Sequence, residues 1–331
     1  MESRVSRSQM PRVCVLMATH NGLPWIDEQL RSILDQVGVN VEVLVSDDGS
    51  SDGTREWLTA RSREDDRVHV LWHDFSFGNA AGNFYYLIDN APADRHDLFA
   101  LADQDDIWDL DKLSKQVRQL ESRRVAAVSS DVVAFWSSGR RKLLRKGGPQ
   151  RQWDYLFEPP GPGCTFLMTT ELIVRCRNVL RDCGRQGLAP LPFHDWMLYL
   201  VARASEMPWW IDPAPSVQYR QHGRNEVGAH VGWAAIRSRV LRLAQGRYKA
   251  LVSRAMMLAM VVCGGARTPT RLGMLEILRE GRRRRREALV AALFMPFGVR
   301  AAVRVSNVAH QHSPASDTSC RPIEGSPRDR L

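Results

Sequence analysis

The chain has 331 residues, which leaves room for two average domains or for one large domain with appendages. Its content of 44% hydrophobic and 25% charged residues is that of a globular protein and excludes disorder of the whole chain. The net charge of +9 is uneven, because residues 230–304 carry 16 Lys and Arg against 3 Asp and Glu, whereas residues 1–229 carry 27 basic and 31 acidic side chains. The basic character therefore belongs to one segment near the C-terminus, and without a recognition motif it does not indicate binding to nucleic acid.

The cysteines and the apolar runs bear on the cellular compartment. Six cysteines show no Cys-x-x-Cys spacing, and the N-terminal residues lack the apolar stretch of a signal peptide, so we expect a reducing, cytoplasmic setting. Two apolar runs, Ala255–Ala266 and Leu289–Val303, fall short of the roughly 20 suitable residues that cross a bilayer. We therefore predict no membrane-spanning helix.

In the first half of the chain, short apolar runs alternate with helical periodicity. The predicted strands are Val13–Ala18, Val41–Ser46, Val68–Trp72 and Leu98–Ala102. The predicted helices open at Pro24 and cover Thr54–Arg61, Asn79–Asp89 and Leu110–Glu121. The first helix has an apolar stripe formed by Ile26, Leu30, Ile33, Leu34 and Val37. Strands and helices that alternate at this spacing predict an α/β fold with a mostly parallel sheet flanked by helices.

The pattern loosens in the second half. It predicts one further strand near Val125–Phe135, a polar connector over Arg140–Arg151 and a helix that starts near Thr170. Another apolar helix is expected from His194 to Ala204. Residues 313–331 are rich in Ser, Pro, Asp and Arg, a composition that predicts a disordered tail.

Polar clusters follow three of the predicted strands. They are Thr19–Gly22, Asp47–Ser50 and Asp103–Asp106. Sheets of this class bind ligands at the carboxyl ends of their strands, so the three clusters together predict a site, although each alone could be a turn. Thr19–Gly22 precedes a helix and suits a nucleotide or phosphate, but it has neither the Gly-x-Gly-x-x-Gly nor the Gly-Lys-Ser/Thr pattern.

The third cluster places three carboxylates within four residues. Asp103, Asp105 and Asp106 repel one another unless a cation compensates their charge. Hard oxygen ligands suit Mg²⁺ or Mn²⁺, and phosphate oxygens typically complete the coordination of these ions. The alternative is a solvated acidic turn that caps the next helix, but Ile107 and Trp108 anchor the loop and favour a site.

Other polar residues have two interpretations each. Asp47 and Asp48 could accept hydrogen bonds from a base or ribose, or they could form an Asx-type turn. Asp195, beside Trp196 at a helix start, could be a general base or a helix N-cap. His222 is a lone histidine of the kind that is more often structural, and it becomes relevant only if the fold returns it to the carboxylates.

In chain order, these motifs resemble those of the family 2 glycosyltransferases of the GT-A fold. The matching segments are ATHNG (18–22), VSDDGSSDGT (45–54), Gly78–Phe84, ALADQDDIW (100–108), PGPGCTF (160–166), HDW (194–196) and YRQHGRN (219–225). DQDDIW and YRQHG are similar to the forms of a bacterial rhamnosyltransferase-like branch that builds surface polysaccharides. The resemblance implies inverting transfer of a sugar, with dTDP-L-rhamnose favoured over a UDP-sugar as donor, to a saccharide or polyprenyl-linked acceptor.

The resemblance also implies residue roles. The donor-binding residues would be Thr19, Asn21, Asp47, Asp48, Asp103, Gly161 and Gly163. The metal, Mn²⁺ or Mg²⁺, would be held by Asp103, Asp105 and His222. Asp195 matches the catalytic base. His194 stands where relatives often have Glu, which puts the acceptor contact made by that Glu in doubt.

We divide the chain into an N-terminal tail (1–11), a GT-A domain (12–229), a basic helical extension (230–312) and a disordered tail (313–331). In the extension, an apolar helical face from Trp233 to Leu243 lies beside arginines, and Arg282–Arg286 precedes the second apolar run. This pattern predicts peripheral attachment to an anionic membrane, at the inner face of the plasma membrane where a lipid-linked acceptor would be anchored. A solvated helix face is the alternative.

Two other functions compete with glycosyl transfer. A nucleotidyltransferase would need a basic, Gly-rich phosphate loop after the first strand, and Leu16–Gly22 contains no Lys or Arg. A non-catalytic protein that binds a sugar nucleotide on the same fold would bind the donor without transferring the sugar. The sequence leaves this second alternative open.

Overall fold

The computed structural model describes residues 10–145, 147–223, 247–265, 268–284, 288 and 299–300. Its strands are β1 (Arg12–Thr19), β2 (Asn40–Asp47), β3 (Val68–Leu71), β4 (Leu98–Asp103), β5 (Ile107–Trp108), β6 (Ala127–Ser130), β7 (Val132–Trp136), β8 (Arg141–Leu144), β9 (Leu167–Thr169), β10 (Trp209–Asp212), β11 (Val217–Gln221), β12 (Arg271–Leu272) and β13 (Val299–Arg300). Its helices are α1 (Ile26–Leu34), α2 (Thr54–Glu64), α3 (Ala80–Asn90), α4 (Lys112–Arg123), α5 (Thr170–Arg185), α6 (His194–Ala204), α7 (Arg247–Val262) and α8 (Met274–Glu280).

Seven strands form the main sheet, in the order β10-β6-β9-β4-β1-β2-β3. Strands β4, β1, β2 and β3 run parallel to one another, and β6 runs parallel to β10, so the predicted mostly parallel α/β sheet is confirmed. The side chains of β1 alternate between two apolar layers, with Val13 and Val15 in one and Cys14 and Leu16 in the other. A strand covered on both faces needs apolar residues at every position, which explains its continuous apolar run.

Helices supply both layers. Helices α1 and α4 cover one face of the sheet with Ile26, Leu30, Leu113 and Val117 among their buried residues. Helices α3, α5, α6 and α7 build the layer on the other face. The larger apolar layer therefore includes α7, which was predicted only as a short apolar run from Ala255.

Strand β9 runs against the direction of its neighbours. It pairs antiparallel with β4, with Leu98 opposite Thr169 and Ala100 opposite Leu167, and antiparallel with β6. Its amino end therefore lies toward the carboxyl end of β4. As a result, the residues that precede β9, including the 3₁₀ turn Gly163–Thr165, reach the edge of the sheet where Asp103 lies.

Some predicted elements have different bounds. Helix α1 begins at Ile26 rather than Pro24 and ends at Leu34, so Val37 lies beyond the helix and is 45% exposed. The apolar stripe is therefore shorter than its spacing suggested. Helix α4 begins at Lys112, two residues after the predicted start, and Leu110 is exposed.

The strand predicted near Val125–Phe135 is two strands in different sheets. Strand β6 belongs to the main sheet, whereas β7 belongs to a four-stranded sheet of order β5-β11-β7-β8. The break falls at Asp131, a buried residue whose Oδ1 accepts a hydrogen bond from the Gly147 amide at 2.7 Å. The predicted polar connector Arg140–Arg151 contains β8, which pairs with β7 and thereby extends the second sheet.

Two of the three described arginines of the C-terminal arginine run are held in ion pairs. Arg283 is 7% exposed, and its guanidinium lies 3.1 Å from Asp154 Oδ2 and 3.7 Å from Glu158 Oε2. Arg282 pairs with the same glutamate at 3.1 Å, and Arg203 contacts Asp154 at 2.9 Å. The structure therefore removes Arg282 and Arg283 from the predicted basic surface.

Several predictions concern residues outside the described ranges. These are the basic helix of residues 233–243, most of the apolar run of residues 289–303, nearly all of the N-terminal tail and the disordered tail. Where the structure is described, no helix combines the length and the apolar character needed to cross a membrane.

Candidate active site

The three polar clusters lie side by side at one edge of the main sheet. The register places Thr19 opposite Asp47 on the neighbouring strand β2, and Ala18 opposite Asp103 on β4. Because these strands are parallel, their carboxyl ends meet there, as expected for a ligand site of this fold class. Gln29 from α1 also reaches this edge and donates a hydrogen bond to the Asp103 carbonyl at 3.0 Å.

Asp47 organises the turn that follows β2. Its carboxylate is buried and accepts hydrogen bonds from the Thr19 hydroxyl at 2.9 Å and from the Ser50 amide at 3.0 Å. The Asp47 side chain therefore stabilises the turn after β2 through the amide three residues on, and its role toward the donor stays a prediction. Thr19 itself is buried, so its side chain orients Asp47 in this structure.

Asp48 connects the same turn to the loop before α3. Its Oδ1 accepts hydrogen bonds from the Ser76 hydroxyl at 2.7 Å and from the Phe77 amide at 2.6 Å. From α3, Asn83 donates to the Ser46 carbonyl at 3.0 Å and to the Thr19 carbonyl at 3.3 Å. Asn83 was not among the predicted site residues, although it lies within the matched segment Gly78–Phe84.

A cavity of about 430 Å³ opens between these loops. It is lined by His20, Asn21, Trp25, Ser51, Asp52 and Gln104. Asn21 has a φ of 51°, a left-handed conformation that Asn tolerates better than most residues, and its Oδ1 accepts from the Ser51 amide at 2.8 Å. Of the residues that the sequence assigned to the donor, Asn21 lines this cavity, whereas Asp47 and Asp48 shape the loop behind it.

The fold brings His222 to the carboxylates. His222 Nε2 lies 2.7 Å from Asp105 Oδ2, and both side chains are mostly buried, at 16% and 11% exposed. The Trp25 ring stacks on the imidazole with a centroid distance of 3.8 Å and an interplanar angle of 7°. Arg220, two residues earlier on β11, donates to the Asp105 carbonyl at 2.7 Å. Strand β11 therefore delivers a histidine and an arginine to the loop after β4.

Burial dominates the electrostatics of this loop. It raises the pKa of Asp105, although the hydrogen bond and charge of His222 act in the opposite direction. The pKa of Asp106 is raised well above its ordinary value by complete burial and then by the charges of Asp105 and Asp103. A bound cation would favour the charged form of carboxyl groups whose pKa burial raises.

Among the residues that the structure describes, one set of three side chains could hold a metal ion. It comprises Asp103, Asp106 and Cys164, whose ligand atoms lie within 4.8 Å of one another. Asp106 and Cys164 are enclosed, burial raises the thiol pKa, and a thiol is a soft ligand that Mg²⁺ and Mn²⁺ do not prefer. The predicted ligands Asp103, Asp105 and His222 do not form such a set of three in the described residues, although His222 contacts Asp105. Carboxylate and imidazole ligands suit Mg²⁺ or Mn²⁺ better than a thiol does, so this set stays a prediction.

The glycine turn before β9 packs against the start of α6. A Cβ at Gly163 would lie 3.0 Å from His194 Cδ2 and closer still to Nε2, so this contact requires glycine. Gly161 has a φ of 145°, a conformation that side chains disfavour. Because Cys164 is close to Asp103 and Gly163 contacts His194, the turn joins the carboxylates to the start of α6.

Asp195 lies in the first turn of α6. The N-cap of this helix is Phe193, so the interpretation of Asp195 as an N-cap is wrong. Its Oδ1 accepts from the Trp196 amide at 2.7 Å. Burial lowers the pKa of the neighbouring His194 to about 3, so this imidazole is neutral at physiological pH. The position before Asp195 therefore carries no charge, unlike the Glu often found there in the family that the sequence resembles.

Comparison with known proteins gives a consistent result. The family profile described as Glycosyl transferase family 2 matches residues 14–177. The chain is 36% identical to the dTDP-rhamnosyl transferase RfbG of Shigella flexneri, over 66% of this chain and 76% of that protein. It is 32% identical to the putative teichuronic acid biosynthesis glycosyltransferase TuaG of Bacillus subtilis, over 55% of this chain and 66% of that protein.

Solved structures also show similarity. A crystal structure of S. aureus TarS residues 1–349 in complex with UDP aligns with a TM-score of 0.49 and 14% identity. The alignment covers 74% of this chain and 65% of that one.

Proposed function

Because this chain belongs to glycosyl transferase family 2, we propose that it catalyses metal-dependent, inverting transfer of a sugar from a nucleoside diphosphate to a saccharide or lipid-linked acceptor. The family resemblance seen in the sequence is confirmed, and the chain is a glycosyltransferase. The observation that carries the proposal for this site is the contact between His222 and Asp105, since it joins two segments that are 117 residues apart.

The proposed donor is dTDP-L-rhamnose. This choice is supported by the similarity to a dTDP-rhamnosyl transferase, which covers most of that protein. A UDP-sugar is the alternative donor, and relatives named as UDP-glucose transferases match over about a third of this chain. The proposed product belongs to surface polysaccharide biosynthesis.

The donor would span the cavity and the carboxylate loop. Asn21 lies in the cavity wall. Thr19, Asp47 and Asp48 hold in place the loops that follow β1 and β2, here called the nucleoside-side loops, and the carboxylate loop is Asp103–Asp106. Asp103, Asp105 and His222 would hold Mg²⁺ or Mn²⁺, which supplies positive charge to the diphosphate leaving group. Gly161 and Gly163 would lie beside the donor sugar.

Asp195 is the proposed general base. Its carboxylate would accept the proton of the acceptor hydroxyl while that oxygen attacks the anomeric carbon from the side opposite the diphosphate. A single displacement of this kind inverts the configuration at that carbon. The neutral His194 beside it would leave Asp195 as the negative charge at the start of α6.

The test is a panel of nucleotide sugars with Mn²⁺ or Mg²⁺ and lipid-linked or saccharide acceptors. We expect the wild type to release one nucleoside diphosphate and the Asp195→Asn variant to bind the same donor with nearly unchanged affinity. Turnover by the variant should fall by about 100-fold or more, because a positioned general base contributes roughly that factor.

The outcomes separate the alternatives. Donor binding without turnover by the wild type, with each acceptor class supplied, would support the non-catalytic sugar-nucleotide-binding protein. Formation of a nucleotidyl product from a nucleoside triphosphate would support the nucleotidyltransferase. If Asp195→Asn lost donor affinity together with turnover, Asp195 would not be the general base.

We propose that the GT-A domain covers residues 12–229 and that the basic extension follows it. Attachment to an anionic membrane now depends on the arginines other than Arg282 and Arg283, because these two are paired with Asp154 and Glu158. Sedimentation with anionic vesicles tests that prediction directly.

A further inference from the structure

Gln104 directs its side chain away from the carboxylates that flank it. Its Oε1 accepts a hydrogen bond from the His20 amide at 2.8 Å, and its Nε2 donates to the His20 carbonyl at 2.9 Å. We call this pair of bonds the Gln104 bridge. The last backbone pair in the register of β1 and β4 is Ala18 with Asp103. Beyond that pair, the side-chain amide of Gln104 links the two segments in place of backbone pairing.

The bridge also accounts for a glycine. A Cβ at Gly22 would lie 2.6 Å from Gln104 Cδ and closer still to Oε1, so a side chain at this position would force the Gln104 amide to move. The backbone of Gly22 is not left-handed, so glycine matters here for the space it leaves to Gln104 rather than for its conformation. The motif Thr19-His20-Asn21-Gly22 is therefore adapted to the amide of Gln104.

Each end of the bridge continues into a different part of the site. On one side, His20 Nδ1 lies 2.7 Å from the Asp48 carbonyl, and the Asn21 amide donates to the Ser50 hydroxyl at 2.8 Å. On the other side, Asp103 and Asp105 are the sequence neighbours of Gln104. The bridge therefore connects the nucleoside-side loops to the carboxylate loop, and Gln104 lines the cavity between them.

We propose that Gln104 is a positioning residue that fixes the spacing between the nucleoside-side loops and the carboxylate loop. Because the spacing is fixed, the nucleoside and the metal-bound diphosphate of one donor are held together, and binding of each end strengthens binding of the other. This inference rests on the proposed function, since it assumes that both loops contact one nucleotide.

The test measures the affinity for dTDP, and for UDP as a second probe, with and without Mn²⁺. In the wild type, Mn²⁺ should strengthen binding of the nucleoside diphosphate. We call the ratio of the affinities with and without Mn²⁺ the Mn²⁺ gain. In Gln104→Ala the Mn²⁺ gain should fall by about tenfold, while the affinity without Mn²⁺ changes little. The KM for the donor should rise more than kcat falls. Gln104→Met, which keeps the volume but removes both hydrogen bonds, should lose the same gain.

A mutant cycle identifies the bridge as the cause. Gly22→Ala alone should lose about as much of the Mn²⁺ gain as Gln104→Ala, because the added methyl group displaces the amide. Gly22→Ala combined with Gln104→Ala should lose no more than either single variant. Gly184→Ala, where a Cβ meets nothing within 4 Å, is the matched control and should keep the full gain.

The results that overturn the inference differ from those that overturn the proposed function. If the wild type shows the Mn²⁺ gain and Gln104→Ala keeps it, or if both affinities fall by the same factor, Gln104 does not couple the two loops. Additive losses in the mutant cycle would also reject the bridge. If the wild type binds neither dTDP nor UDP with Mn²⁺, the proposed function itself fails.

Discussion

Two regions of this protein concentrate charge in sequence, and the fold treats them in opposite ways. The carboxylate loop, Asp103–Asp106, faces a cavity, and burial raises the pKa of Asp105 and Asp106. The arginine segment, Arg282–Arg284, places Arg282 and Arg283 against buried carboxylates. In the first region burial disfavours the charged form of the carboxyl groups, whereas in the second region buried carboxylates neutralise Arg282 and Arg283 inside the protein.

The difference shows what separates a site from an internal ion network. Asp154 is fully buried and receives both Arg203 and Arg283, so its charge is compensated without a ligand. Asp105 has His222 as a partner, yet the pKa of its carboxyl is still raised. A bound cation would stabilise the charged form that burial disfavours, and this is the physical reason to expect a cation there.

The largest expected effect is on the carboxylate loop. Asp105→Asn should lower turnover by at least about 100-fold, the range found when one group that stabilises transition-state charge is removed. Without metal, the variant should be as stable as the wild type or more stable at pH 7. In the wild type, burial raises the pKa of the Asp105 carboxyl in the folded protein. Asp105 therefore contributes stability at low pH that is lost as the pH rises through its folded-state pKa.

Thermal unfolding with and without Mn²⁺, alongside the donor assay, checks this prediction. The wild type should gain stability from Mn²⁺ and the variant should not. A variant that loses stability and keeps its turnover would place Asp105 with the structural ion pairs instead.

The next effect concerns the arginine segment, where we expect mainly a loss of stability rather than a loss of turnover. Arg283→Met should lower the free energy of unfolding by about 3–5 kcal/mol, because it leaves Asp154 and Glu158 buried with fewer partners. Turnover per folded molecule should fall less than in Asp105→Asn. Denaturant unfolding measures the change, and Arg279→Met, on an exposed side chain of α8, is the control that should change by no more than about 0.5 kcal/mol.

The smallest effect concerns a buried charge that belongs to neither region. Lys112 donates to Gln116 at 3.1 Å and lies 3.6 Å from the Trp108 ring, and burial lowers its pKa to about 7. Between about pH 7 and the ordinary value of 10.5, the unfolded chain binds a proton that the folded chain does not. Lys112 therefore contributes a stability that rises with pH across this window.

The contribution is measured as a difference. The free energy of unfolding of the wild type minus that of Lys112→Met should rise from pH 7 to pH 10, whereas the same difference for Lys115→Met, an exposed neighbour paired with Asp111, should not. A flat difference for Lys112 would mean that its amine is charged in the folded protein.

Much of the site edge was predictable because it depends on local patterns. Apolar runs that end in polar clusters identify parallel strands, and the geometry of a parallel sheet then brings Thr19, Asp47 and Asp103 together. The contact between His222 and Asp105 was expected only from the family resemblance, since nothing local in either segment indicates the other. Gln104 was missed because its role depends on the backbone of His20.

Other features depend on partners that sequence patterns do not reveal. Strand β9 has three residues, too few to show a period, and its reversed direction is set by β4 and β6. The arginine segment suggested a surface because its acidic partners, Asp154 and Glu158, lie more than a hundred residues earlier. In both cases, long-range pairing overrides the local signal.

The reversed strand β9 also affects how the chain folds as it is synthesised. Strands β1 to β4 emerge first and can pair in parallel, but the outer edge of β4 has no partner until residues 167–169 have been made. Strand β6 emerges earlier and pairs with β9 and β10. The apolar edge of β4, with Phe99 and Leu101, thus remains open to mispairing for much of translation. The strand that ends in the carboxylate loop is therefore among the last in the centre of the sheet to be enclosed, and this edge is where we expect a folding chaperone to matter most.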